Sequence, residues 1–280
     1  MSYIMSTSLL LCLVVILANL PRHKTIKPFW RNQKSKPKPT LLPSIEKDPE
    51  FYRKLREEIP PKNETAKKFI KNFLRIRHRG KRSSHIEDVV IVMDGSGSIG
   101  LCEFNNGKKA LKALMQYKQP GIDAKYAMVT FASQARRDFN FLPQLDAAAK
   151  MSGVKFPRGA TNTQAGLAEA FDLFITGSRG FDSREIVLLL TDGHSNKDNN
   201  KTVPNAQKLK ENGVDVFVVA IGGQHMTGIH EMAHVATFPP ENFLFRVEKV
   251  GDFFEIVKMA IKEVAPGKYK ILNEYKSPCN

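Results

Sequence analysis

The feature that most constrains the fold is a series of short apolar runs, each separated from the next by a longer amphipathic stretch. Most runs are almost continuously apolar, which is typical of strands buried on both faces of a parallel sheet. The run RRDFNFL alternates polar with apolar residues and closely follows another strand, so it predicts an antiparallel edge strand. The predicted strands comprise residues 89–94, 125–132, 136–142, 184–192, 215–222 and 242–247.

The intervening stretches carry apolar residues at helical spacing. Leu167, Ala170 and Phe174, for example, are separated by three and four residues, which places them on one face of a helix. Strands that alternate with helices predict an α/β fold. We therefore expect a doubly wound (Rossmann-like), mostly parallel sheet with one antiparallel edge strand and helices on both faces.

The positive charge of the chain lies outside this pattern. Residues 21–82 hold 20 Lys and Arg against 6 Asp and Glu, whereas residues 83–280 hold 23 against 22. A protein that binds the phosphate backbone carries its positive surface on the folded domain. The charge distribution therefore argues against a nucleic-acid partner.

The first eighty residues have the pattern of a secretory leader. Residues 1–20 contain an uncharged apolar core too short to span a bilayer comfortably, so they predict a signal peptide, with an uncleaved membrane anchor as the alternative. Residues 21–82 predict a basic propeptide whose end, Arg79-Gly80-Lys81-Arg82, resembles a furin-type cleavage site. The mature domain is then 83–280, secreted into the extracellular space without stable membrane insertion after processing.

Within the predicted propeptide, PEFYRKLREE and ETAKKFIKNFLRIR predict short basic helices. Phe69, Phe73 and Ile76 form a modest apolar stripe on the second. Because basic runs are usually solvated, we expect this segment to lie in solvent. A helix that binds a membrane surface or acts like a chaperone is the alternative.

Three loops predicted at the carboxyl edge of the sheet are rich in glycine and oxygen-bearing side chains: DGSGS (94–98), GATNT (159–163) and TDGHSN (191–196). Ligands of open α/β sheets bind at this edge. Hydroxyl and carboxylate oxygens suit a hard cation, Mg²⁺ first and Mn²⁺ or Ca²⁺ as alternatives. The candidate metal ligands are Asp94, Ser96, Ser98, Thr161 and Asp192.

These three motifs, in this order, resemble the metal-ion-dependent adhesion site of von Willebrand factor type A domains and integrin I domains. The resemblance covers about residues 88–265. It implies that Asp94, Ser96 and Ser98 are ligands from the first loop, Thr161 from the second and Asp192 from the third. It also implies a non-enzymatic module of extracellular adhesion or matrix assembly, in which the cation captures an Asp or Glu of a protein partner.

Two other motif matches compete with this interpretation. GSGSIG reads as a dinucleotide-binding fingerprint, but the second strand ends MVTFASQARR, without the acidic residue that would hold a ribose. HEMAH matches a zinc-protease motif, with His230 and His234 as ligands, Glu231 as the base and Glu255 as a third ligand. A zinc metallopeptidase is therefore one alternative function, and a structural matrix component with a vestigial metal site is another.

Cysteines and sequons complete the list of candidate sites. After loss of Cys12 with the signal peptide, Cys102 and Cys279 remain, and an even pair in a secreted protein suggests one disulfide. A bridge between two chains, and hence self-association, is the alternative. Asn63 and Asn200 begin glycosylation sequons.

Overall fold

The computed structural model describes residues 47–75, 85–117, 121–264 and 279. Six strands in these residues form one sheet in the order β3-β2-β1-β4-β5-β6. Only the β2–β3 pair is antiparallel among them, so the predicted fold class is confirmed. The strands are β1 (His85–Asp94), β2 (Ile122–Phe131), β3 (Ala135–Pro143), β4 (Ser183–Thr191), β5 (Asp215–Ile221) and β6 (Leu244–Val247).

Helices cover both faces of the sheet because neighbouring strand residues point to opposite sides. Val89 and Ile91 belong to one hydrophobic cluster and Val90 and Val92 to the other. The helices are α1 (Pro49–Glu57), α2 (Lys62–Phe69, continued by a π-helical turn, Ile70–Leu74), α3 (Gly100–Gln116), α4 (Gln144–Lys150), α5 (Thr163–Gly177), α6 (Thr202–Glu211), α7 (Ile229–Val235), α8 (Pro240–Phe243) and α9 (Val250–Val264). None of the helices in the described part of the chain is both long and apolar enough to cross a bilayer.

The two predicted basic helices exist, as α1 and α2, but the expectation that they are solvated was wrong. Tyr52, Phe69 and Phe73 are 1%, 0% and 3% exposed. Most Lys and Arg side chains of the two helices are exposed, whereas Lys68 donates to the Leu244 carbonyl and the aromatic residues pack against the rest of the domain. The positive charge of the segment therefore led to the wrong expectation that these aromatic residues face solvent.

The predicted signal peptide (1–20) and the processing residues Arg79, Lys81 and Arg82 lie outside the described residues, as does Ile76. The boundaries at 20 and 82 stay predictions.

Candidate metal site

The candidate site lies where β1 and β4, neighbours in the sheet, end side by side. Asp94 is the last residue of β1, Thr191 is the last residue of β4 and Asp192 follows it. We call residues 94–99 the first loop, 157–162 the second and 192–198 the third. The sheet topology therefore brings the first and third loops together at its carboxyl edge.

A chain of hydrogen bonds, each involving at least one side chain, links these two loops. The Thr191 hydroxyl donates to Oδ2 of Asp94 at 2.7 Å, and the Ser96 amide donates to Oδ1 at 2.8 Å. Oγ of Ser96 lies 3.0 Å from Oγ of Ser98, which donates to Oδ1 of Asp192 at 3.2 Å. Four of the five predicted ligands are thus in one connected cluster.

The second loop, which carries Thr161, is held to the others through the backbone. The Gly97 amide donates to the Gly159 carbonyl at 2.9 Å, which joins the first and second loops. The Thr161 amide donates to Oδ1 of Asn196 at 2.9 Å, and the Asn196 amide donates back to the Thr161 carbonyl at 3.0 Å. Thr161 itself is 5% exposed. The structure thus places the fifth predicted ligand between the other two loops.

The site has a closed end and an open end. Asp94 and Ser96 are each 1% exposed, whereas Ser98 is exposed and Asp192 is partly exposed. A molecule in solution can therefore approach the cluster from the side of Ser98 and Asp192.

Burial raises the pKa of both carboxyl groups. For Asp94, burial and the nearby Asp192 carboxylate raise the pKa to about 6, against the hydrogen bonds from Thr191 and Ser96. Burial also raises the pKa of Asp192, against the hydrogen bond from Ser98. Desolvated carboxylates beside one another are costly unless a cation accompanies them. Two carboxylates and three hydroxyls are also the donor types that a hard divalent cation prefers, so these residues fit such an ion.

Two glycines of GSGSIG are needed for different structural reasons. A Cβ on Gly95 would lie 2.4 Å from Cδ of Pro157 and 3.3 Å from the Phe104 ring, whereas Gly100 has φ +71° at the start of α3. Gly95 thus allows the close approach of the first and second loops, and Gly100 allows the backbone to turn into the helix.

We expect Gly95→Ala to destabilise the protein by about 1–3 kcal/mol, because the rigid Pro157 ring must move to admit the methyl group. Urea unfolding measures the change. Gly97→Ala is the matched control on the same loop, because its Cβ would meet the Gly159 carbonyl at an ordinary 3.6 Å. Equal losses in the two variants would contradict the packing argument.

HEMAH forms most of α7, but its side chains are engaged in packing. Tyr52 of α1 packs against the His230 ring, with centroids 4.8 Å apart, and stacks on the His234 ring at 6.1 Å. Nδ1 of His234 lies 2.7 Å from the His230 carbonyl. Glu255, the predicted third ligand, pairs with Lys258 on α9. No group of three or more His, Cys, Asp or Glu side chains that could hold a metal occurs within residues 47–75, 85–117, 121–264 and 279.

Glu231 contacts the third loop, a role that the zinc-protease motif does not indicate. Its Oε1 accepts a hydrogen bond from the Ser195 amide at 3.1 Å, and its Oε2 lies 3.3 Å from Nδ1 of His194. A Cβ on Gly228 would lie 2.5 Å from the His194 amide nitrogen, so the start of α7 fits closely against the third loop. Glu231 and Gly228 therefore position the loop that begins with Asp192.

Sequence reasoning also missed Thr191 and Asn196, which hold Asp94 and Thr161 in place. Both lie inside the quoted TDGHSN motif, so the motif itself was the available signal. The sequon residues Asn63 and Asn200 are both exposed, and their glycosylation stays a prediction.

Cys102 and Cys279 are joined in the structure, with Sγ atoms 1.97 Å apart. Cys279 also lines a pocket of about 390 Å³ that borders the metal-site candidates Ser98 and Asp192. Glu103 and Lys249 contribute charged groups to the same pocket. The bridge therefore ties residue 279 to the start of α3, next to the open end of the site.

A doubly wound sheet with three oxygen-rich loops at its carboxyl edge defines the class: an α/β domain whose loops lie at the edge where open α/β sheets bind ligands. The model of the von Willebrand factor type A domain matches residues 88–258. The chain therefore belongs to this family.

The relatives include proteins much longer than this chain. Human integrin alpha-D is 24% identical over 188 residues, which are 63% of this chain and 16% of that protein. The mouse collagen alpha-4(VI) chain is 32% identical over 174 residues, 58% of this chain and 7% of that protein. The chain thus spans a small part of these relatives' length.

Among solved structures, proximal thread matrix protein 1 of the mussel byssus is similar at a TM-score of 0.54 and 22% identity, covering 66% of this chain and 46% of that one. That structure has a zinc-occupied MIDAS (metal-ion-dependent adhesion site) motif. At this identity the likeness shows the shared fold.

Proposed function

We propose that this protein is a secreted extracellular binding module that captures an Asp or Glu side chain of a protein partner through a divalent cation. Asp94, Ser96, Ser98, Thr161 and Asp192 would hold the cation. The integrin and collagen relatives support a role in adhesion or matrix assembly, without catalysis by this chain.

The observation that carries the proposal is the connected cluster from Thr191 through Asp94, Ser96 and Ser98 to Asp192. Two carboxylates balance the charge of a dication without exceeding it, and the hydroxyls add oxygen donors without adding charge. A cation held in this way stays electrophilic toward a further carboxylate.

The ligand candidates at the two ends of the site would have different roles. Asp94 and Ser96 are buried and fixed by backbone and side-chain hydrogen bonds, so they supply a rigid base. Ser98 and Asp192 lie at the open end, where a partner's carboxylate can arrive. When bound, the cation supplies a point of positive charge for that carboxylate.

The metal itself can be identified by thermal unfolding of the full chain with Mg²⁺, Mn²⁺, Ca²⁺ and Zn²⁺ after treatment with EDTA. We expect Mg²⁺ to raise the midpoint. Zn²⁺ belongs in the series because a structural relative holds zinc in its MIDAS motif. The absence of any shift, together with no binding in calorimetry, would contradict the metal site.

Partner capture requires a separate experiment. The full chain is passed over immobilised extracellular matrix proteins in Mg²⁺ and then in EDTA, and free acetate is added as a competing carboxylate. We expect retention that needs the cation and weakens with acetate. Binding that is unchanged in EDTA and in Asp94→Ala would contradict capture through a metal, even if the metal binds.

Glu231 gives a prediction that separates the adhesion and zinc-protease interpretations. We expect Glu231→Ala to weaken Mg²⁺ binding about tenfold, because groups that orient metal ligands commonly contribute 10- to 100-fold to affinity. Calorimetry measures the effect. Glu255→Ala is the control for Mg²⁺ binding, because Glu255 lies on α9 and pairs with Lys258 of the same helix. Loss of a zinc-dependent peptidase activity in Glu231→Ala would instead support the protease.

A further inference from the structure

The segment 47–75, which we call the clasp, lies on both faces of the sheet at its β6 edge. Tyr52 of α1 belongs to the hydrophobic cluster on one face, and Phe69 and Phe73 belong to the cluster on the other. All four residues of β6 are buried although it is the edge strand of the described sheet. The clasp therefore covers an edge that would otherwise face solvent.

On the α2 side, the contacts form an aromatic cluster. Phe69 stacks on Phe73 at 4.7 Å and meets the rings of Phe245 and Phe253 edge-on at 5.4 and 5.8 Å. Phe73 packs edge-on against Phe217 at 5.2 Å. The clasp thus supplies two of five interlocking rings, and their removal would expose apolar surface of β5, β6 and α9.

Arg246 of β6 binds the end of α1. Its guanidinium is buried, and it donates to the carbonyls of Leu55 and Arg56 in the last turn of that helix. Its Nη2 donates to the carbonyls of Gly222 and Gly223. A cation at a helix C-terminus is favourable, and here the carbonyls of α1 replace the water that burial has removed.

Arg184 of β4 binds the end of the π-helical turn in the same way. It donates to the carbonyls of Asn72 and Phe73 at 3.1 and 2.8 Å. It also pairs with Glu87 and Asp215 at 3.2 and 3.1 Å. Both arginines are far from the clasp in the sequence. Each nevertheless binds the terminal carbonyls of one helical segment of the clasp.

Ion pairs and a main-chain contact add to this recognition. Lys62 pairs with Asp252 at 2.6 Å, and Arg75 pairs with Asp215 at 3.2 Å. The His225 amide donates to the Arg56 carbonyl at 3.2 Å. Two basic side chains of the clasp thus pair with acidic side chains of the rest of the domain.

We propose that the clasp is a permanent part of the folded domain and stays bound, without a covalent link, when the chain is cut anywhere between residues 76 and 84. Processing at Arg82 would then yield a two-chain protein, with no release of a propeptide. The surface formed by Arg184, Arg246 and the phenylalanines is the binding site for this second chain. The proposal is independent of the metal site.

The test uses the full chain with a recognition sequence for a specific protease placed within residues 76–84. After cleavage, size-exclusion chromatography is run in native buffer and in urea. We expect the two fragments to co-elute at the mass of one intact chain in native buffer and to separate in urea. Hydrogen exchange of the cut protein should leave the amides of α2 protected, to within about twofold of the uncut rates.

Variants then test the recognition. We expect Arg184→Ala with Arg246→Ala to speed the release of the fragment at least tenfold. Arg53→Ala is the control, because within the described part of the chain the ion pairs of Arg53 are with Glu50 and Glu57 of its own helix. Its release rate should change less than twofold.

Three results would overturn the proposal. One is separation of the cut wild-type fragments in native buffer. The second is co-elution only as a large aggregate, and the third is free exchange of the α2 amides after cleavage. Because each uses the wild-type sequence of the clasp and domain, the test holds even if an arginine variant fails to fold.

Discussion

Asp94→Asn is expected to stabilise the metal-free protein at neutral pH by about 2–3 kcal/mol and to abolish its stabilisation by Mg²⁺. Burial and the Asp192 carboxylate raise the pKa of Asp94 to about 6, above the value near 4 of an unfolded chain. The folded state therefore disfavours the ionised carboxylate. Asparagine removes that charge while keeping an oxygen for the Ser96 amide and a polar group beside the Thr191 hydroxyl.

The pH dependence has a definite sign. Between about pH 4 and pH 6 the folded protein holds a proton on Asp94 that the unfolded chain has lost. The stability of the metal-free wild type therefore falls as the pH rises through this window, and the penalty is complete above it. Asp94→Asn lacks this contribution, so the two proteins should approach equal stability at about pH 4.

Chemical unfolding at pH 4 and pH 7.5, each with EDTA and with Mg²⁺, measures both effects. Wild type should gain stability from Mg²⁺ at pH 7.5, and Asp94→Asn should gain none. Asp138→Asn is a control carboxylate, held by Thr130 and Arg136 on β2 and β3. A variant that is less stable than wild type in EDTA at pH 7.5 would contradict the electrostatic argument, and a variant that still responds to Mg²⁺ would contradict the metal site.

The sheet could be predicted from the sequence because each strand carries its own signal. A buried parallel strand is a continuous apolar run, and the alternation in RRDFNFL marked β3 as the edge. The proximity of three of the five ligand candidates could be predicted for a similar reason. Asp94, Ser96 and Ser98 lie within five residues of one another at the end of a strand, so local sequence is enough to place them together.

The rest depends on contacts between distant parts of the chain, which periodicity does not report. Tyr52 lies on a helix rich in charged residues, and nothing in the sequence of that helix indicates His230 and His234 as its neighbours. Arg184 and Arg246 lie in strands, and their partners in the clasp are backbone carbonyls, which no side-chain pattern in the sequence indicates. Glu231 shared a zinc-binding pattern with two histidines, and only the tertiary structure shows that it braces the third loop.

Replacing Cys102 and Cys279 together by serine is expected to lower the free energy of unfolding by about 2–4 kcal/mol. The two residues are separated by 177 positions, so the bridge closes the chain from the start of α3 to residue 279 into one loop. A long closed loop restricts the unfolded chain strongly, which is the main source of stabilisation in the chain-entropy account.

The measurement is urea unfolding of wild type and of the double variant, each with and without a reducing agent. Reduction should destabilise wild type by the same amount as the substitution and should leave the variant unchanged. This comparison separates the loss of the bridge from any effect of the serine side chains, since the Cys279 sulfur also lies 3.2 Å from Nδ2 of Asn106.

The same samples decide between a bridge within one chain and the alternative of a bridge between two chains. Electrophoresis without reducing agent should show wild type at the mass of a single chain. A dimer that reduction converts to monomer would contradict the intramolecular bridge. It would also remove the reason for a large loss of stability, because a link between two chains does not close the 177-residue loop.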